Sequence, residues 1–148
     1  MAGSRYTLHW DITCAAGYST IGQAADPSAP YAGLPNAVRI LHACRATMAR
    51  VRFYPGPQLT VIVEPWVQHG GVRRSLVAVA GRHGTVPGME TGGVDLSGRG
   101  VRGDDDLWEY DMDVDIAAGD WVGVAWRNGD PINAHTVMVD VLLSQGGA

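Results

Sequence analysis

In the stretch RYTLHWDIT, Tyr6, Leu8, Trp10 and Ile12 alternate with Arg5, Thr7, His9 and Asp11. A two-residue period of this kind predicts a strand with one face on a core. The segment AVRILHACRATMARV behaves differently. Val38, Leu41, Cys44, Met48 and Val51 recur at three- and four-residue steps, and Asn36 is placed to cap them, which predicts one short helix around 37–50. A pair of short strands is the competing reading of that segment. QLTVIVEPWVQ has strand composition, and Pro65 within it implies an edge position or a bulge, because proline donates nothing to a ladder. HGG then turns the chain into VRRSLVAVAG, which predicts a hairpin. Three strands close the chain at 107–116, 121–127 and 135–144, linked by AAGD and NGDPINA.

Between these elements lie two long connections. Residues 14–36 are rich in small residues, with Pro27, Pro30 and Pro35, and read as an extended arm. Residues 81–106 carry eight glycines and read as a long Gly-rich loop, with short pairings at TV and VDL. About seven strands with tight turns and no βαβ alternation predict a mainly β chain, a single-domain jelly-roll-like β-sandwich over 1–148.

Composition narrows the function classes. The chain has 148 residues, 46% of them hydrophobic, and a formal net charge of −4, which disfavours nucleic acid as the main partner. Every basic residue is arginine. No apolar run approaches the roughly 18 residues of a membrane span, and the first residues lack the pattern of a signal peptide, so synthesis in a host cytoplasm is expected. Cys14 and Cys44 are able to pair, but two buried thiols are the favoured expectation.

The segment DDDLWEYDMDVDIAAGDW holds eight of the fifteen carboxylates. Glu109, Asp111, Asp113 and Asp115 fall on one face of a strand, opposite Trp108, Tyr110, Met112, Val114 and Ile116. A helix–loop–helix calcium site counted from Asp111 fails, since its positions 6 and 12 are Ile116 and Val122. Alternate side chains on a strand also stand about 6–7 Å apart, too far for three of them to hold one cation. Asp104, Asp105 and Asp106 in the preceding loop remain as lesser metal candidates. Otherwise neither a metal nor a cofactor is expected. The acidic face is expected to meet water or arginines, with Arg50, Arg52, Arg73 and Arg74 as the candidates, in this chain or a neighbour. The segment as a whole reads as a hairpin turning at AAGD.

No catalytic residue is expected. His9, His42, His69, His83 and His135 are scattered without a metal-binding or hydrolytic motif, and Ser75, His83 and Asp95 make only a triple of the sort any chain offers. Of the five tryptophans, Trp10, Trp108 and Trp121 fit an inward pattern. Trp66 and Trp126 sit near strand ends and are candidates for a subunit interface or a sugar platform.

The ending VDIAAGDWVGVAWRN followed by HTVMVDVLLS resembles the last strands of trimeric jelly-roll domains of the tumour-necrosis-factor-like and complement-globular-head class. It is also similar to phage decoration or minor capsid proteins of that shape. The resemblance spans about 40 residues, carries over no functional residue, and implies a homotrimer. The expectation is a virion structural protein without catalysis. It would decorate the capsid surface and bridge subunits of a major capsid protein, with 14–36 and 81–106 as docking parts. A carbohydrate-binding, lectin-like module is the alternative.

Overall fold

A computed structural model describes residues 4–18, 37–54, 60–70, 72–76, 101–102 and 107–145. Every regular element among them is a strand: β1 (Ser4–Cys14), β2 (Val38–Arg39), β3 (Cys44–Tyr54), β4 (Val61–His69), β5 (Val72–Ser75), β6 (Val101–Arg102), β7 (Leu107–Ile116), β8 (Trp121–Asn128) and β9 (His135–Gln145). They form two antiparallel sheets. Sheet A runs β1-β9-β3-β7 and sheet B runs β2-β8-β4-β5, with β6 also on β4. Chain neighbours from β1 to β4 and from β7 to β9 alternate between the sheets, so the expected jelly-roll-like sandwich is the observed fold.

One core lies between the sheets. The inward set on β9 is Val137, Val139, Val141 and Leu143; it meets Val51 and Phe53 of β3, Val61, Val63 and Val67 of β4, and Val122, Val124 and Trp126 of β8. Each such side chain contributes roughly 1.5–3 kcal/mol by leaving water. Cys14 and Cys44 are free buried thiols. They sit at opposite ends of sheet A, Cys14 beside His135 of β9 and Cys44 beside Ile116 of β7, beyond the reach of a disulfide.

The predicted helix at 37–50 is instead β2, a short link, and the first part of β3. On β3 the buried positions are Cys44, Ala46, Ala49, Val51 and Phe53. The single three-residue step falls at a register shift between Ala46 and Met48, against both β7 and β9. One bulge residue, Thr47, therefore turns a two-residue period into one that imitates a helix.

Pro65 is neither at a bulge nor on an outermost strand. The β4–β8 register is continuous from Val61 to Gln68. On its other side β4 pairs with β6 at Ile62 and Val63 and with β5 from Trp66 to His69. Among the described residues, Glu64 and Pro65 fall in the gap between those two short strands, where a missing donor disrupts no ladder. The β4–β5 hairpin forms as expected, closing at His69 and Val72 with Gly70 at φ 57°.

Two further expectations are corrected. Residues 107–121 are not a hairpin, because β7 lies in sheet A and β8 in sheet B; AAGD carries the chain across the sandwich. The 81–106 loop is also shorter than expected at its end, where 101–102 pair with β4 as β6. At the other connection, Cys14 ends β1 and Tyr18 packs on Trp126 with ring centroids 5.7 Å apart. Residues 19–36, 81–100 and 103–106, including the pairings expected at TV and VDL, lie outside the described residues.

Candidate functional site

Sheet A keeps its outer face open, and its register builds that face row by row. Across β1, β9, β3 and β7 one row reads His9, Asp140, Arg50, Glu109. The signs alternate over the roughly 15 Å that four strands span. His9 Nδ1 meets Asp140 Oδ1 at 2.5 Å, His9 Nε2 meets Asp11 Oδ1 at 3.0 Å, and Arg50 Nε donates to Glu109 Oε2 at 3.1 Å. The hydrogen bond to Asp140 is the main cause holding the His9 imidazole above its ordinary pKa, and Asp11 adds to it.

The rows on either side mix apolar and charged groups. One reads Thr7, Leu142, Met48, Asp111 and the other Asp11, Met138, Arg52, Leu107. Met48, Met138 and Leu142 are half-buried, while Leu107 and Arg52 are exposed. Nearer the end of the sheet, Arg45 Nε lies 3.1 Å from both Asp113 and Asp115. Solvent-exposed pairs of this kind contribute about 0–1 kcal/mol each, so they decide register and partner choice more than stability.

The acidic strand therefore meets arginines of its own chain. Arg50 takes Glu109 as a candidate pair, and Arg45 takes Asp113 and Asp115 although the sequence pattern did not single it out. Asp111 faces Met48 in the register and Arg52 faces Leu107 and Met138. Arg73 pairs with Gln68 through the β4–β5 ladder, and Arg74 is exposed elsewhere, at the end of the sandwich. Asp104, Asp105 and Asp106 lie outside the described residues, as do His83 and Asp95; Ser75 is buried on β5. Among the described residues no three His, Cys, Asp or Glu side chains are grouped to hold a metal ion.

Trp66 and Trp126 are not surface anchors. Trp126 belongs to the core, with 7% of its surface exposed. Trp66 is fully buried on the opposite face of β4 from Val63 and Val67, stacked over Gly123 of β8. Glu64 and Gln68 share that face and are buried with it, so β4 is enclosed on both sides and no alternation marks its tryptophan as inward. Neither Glu64 carboxyl oxygen has a hydrogen-bond partner among the described residues, and burial raises its pKa well above the carboxylate range.

Three of the histidines, scattered in sequence, pair with carboxylates in space. Beyond His9, His135 Nε2 meets Asp130 Oδ2 at 2.9 Å, and His69 Nδ1 meets Asp120 Oδ1 at 2.6 Å. Asp130 is a turn anchor: backbone N–H groups of Ile132 and Asn133 donate to it and hold its carboxyl below the usual range. Asp120 is buried and also accepts from the Ala117 backbone N–H at 2.9 Å, so it closes the AAGD turn and orients His69 together.

His69 borders a cavity of about 570 Å³ between the ends of the two sheets, on the side where β7 and β5 form their edges. Its walls are Cys44, Val67, Val114 and Ile116, with Arg74 and Asp120 among the polar groups. The Cys44 thiol is pushed up chiefly by burial, with the Asp120 charge adding, so the His69–Asp120 pair has no ready thiolate beside it. No protein-family model matches this chain, and neither a curated protein nor a solved structure matches it.

Proposed function

We propose that this chain is a structural component of a virus particle, a capsid decoration or auxiliary head protein that works by protein–protein contact. It associates as a trimer through the outer face of sheet A and bridges neighbouring copies of a major capsid protein. The observation that carries the reading is the composition of that face: Met48, Met138, Leu142 and Leu107 interleaved with the alternating row His9, Asp140, Arg50, Glu109. Methionine and arginine are enriched at protein interfaces, and a row of fixed alternating sign selects one partner orientation. Binding to a lattice of identical subunits then multiplies weak single contacts through effective concentration.

The sugar-platform alternative rested on Trp66 and Trp126, and both are buried in the chain itself. The test is to add purified protein to undecorated heads and image the particles. Trimeric density at regular positions on the capsid surface is expected. A protein that scatters light as a monomer and leaves the heads bare overturns the reading.

A further inference from the structure

The cavity at the end of the sandwich touches the outer face of sheet A only at Asp115, and its apolar walls face the other way, into the sandwich. Its position follows from the topology. β7 is an outermost strand of sheet A and β5 an outermost strand of sheet B, so among the described residues no strand closes the sandwich between them. Two of its lining residues, Ala43 and Ala117, are small and exposed, and its apolar walls are Cys44, Val67, Val114 and Ile116. A volume of about 570 Å³ lies within the range of small-molecule sites, which combine apolar walls with a few placed polar groups.

The polar groups do not contribute equally. Asp120 is committed to His69 and to the Ala117 N–H. Asp115 belongs to the outer row of β7 and is committed to Arg45. Arg74 pairs with Val67 across the β4–β5 ladder, which puts its side chain on the cavity side of β5, and it makes no ion pair among the described residues. His69 spends Nδ1 on Asp120 and keeps Nε2 uncommitted among the described residues. The uncommitted polar groups are thus a guanidinium fork and an imidazole nitrogen at the border of an apolar space.

We propose that this cavity binds a small amphipathic anion, a carboxylate on an apolar body. Its head pairs with Arg74 and its body packs against Val67, Val114 and Ile116. The planar fork of arginine matches a carboxylate in two parallel hydrogen bonds, which selects the acid over an uncharged analogue. Asp120 acts as a positioning residue that fixes the imidazole at the border of the cavity.

The test uses octanoate and octan-1-ol as probes, titrated into the intact protein near neutral pH and followed by amide chemical shifts. Octanoate is expected to bind at least about tenfold more tightly than octanol, with shifts centred on Val67, Arg74 and Val114. Arg74→Ala should remove that preference and leave the spectrum folded. Ala43→Trp, at an exposed lining position, should abolish binding of both probes without touching the core. Equal binding of acid and alcohol overturns the proposal. So does octanoate binding unchanged in both variants, or no binding of octanoate at all. These outcomes are read apart from assembly, because Ala43 and Arg74 lie outside the rows of the sheet A face.

Discussion

Gly123 and Trp66 show how a single residue decides a packing solution. A Cβ at Gly123 would overlap the Trp66 indole at Cζ2 and Cε2, so the ring can lie flat on β8 only over a glycine. Gly123→Ala is expected to destabilise the fold by about 1–3 kcal/mol, as overpacking does, read as a lower urea midpoint at unchanged slope; an unchanged midpoint contradicts the stacking. Glu64 is the opposite case, a polar group enclosed without a hydrogen-bond partner among the described residues. Burial raises its pKa above the ordinary 4.5, so the folded chain holds that proton more tightly than the unfolded one. Stability therefore falls as pH rises from the unfolded value toward the folded one. Glu64→Gln should remove that decline and raise the melting temperature at neutral pH, whereas an unchanged pH profile would show that the carboxyl is not held neutral.

At the scale of elements, legibility followed burial geometry. β1, β7 and β9 were readable because each buries one face, so Trp10 and Asp11, or Val114 and Asp115, alternate without interruption. β3 imitates a helix because Thr47 at the bulge inserts one three-residue step, and Ala- and Arg-rich composition agrees with a helix as readily as with a strand. β4 offered no alternation, since Val63 and Trp66 are both buried on opposite faces. AAGD was recognised as a tight link, but a short link does not reveal which sheet the next strand joins. Its chemistry is now specific: Gly119 has φ 92° and Asp120 caps Ala117 while holding His69. Asp120→Ala should cost about 1–2 kcal/mol by removing the hydrogen bonds that this buried carboxylate accepts from the Ala117 N–H and His69, measured by chemical denaturation, and a loss under half of that would mean the turn stands without its cap. On sheet A, His9 has its pKa raised by Asp140 first and Asp11 second. Its contribution is complete below the unfolded value of about 6.5 and is lost as pH rises through the folded one. The group is half exposed, so the effect is small, and His9→Asn should flatten the stability profile just above that pH.

At the scale of the molecule, the sequence signalled a charged strand but not its neighbours. Glu109 and Arg50 are 59 residues apart, and His9 and Asp140 are 131 apart. Such rows exist only once the register of sheet A is set, and a strand's own pattern says which face is polar without saying what stands beside it. The same limit hid the cavity, whose walls come from four strands in two sheets. The proposed association rests on this face, where half-buried Met138 and Leu142 flank the row of alternating charge. The most direct measurement is sedimentation of the wild-type chain beside a Met138→Glu, Leu142→Glu double variant. Both positions are outside the core, so the variant should keep its near-ultraviolet spectrum and melting transition. The account predicts a wild-type trimer and a folded variant monomer. A wild-type monomer, or a variant that remains a trimer, would contradict it.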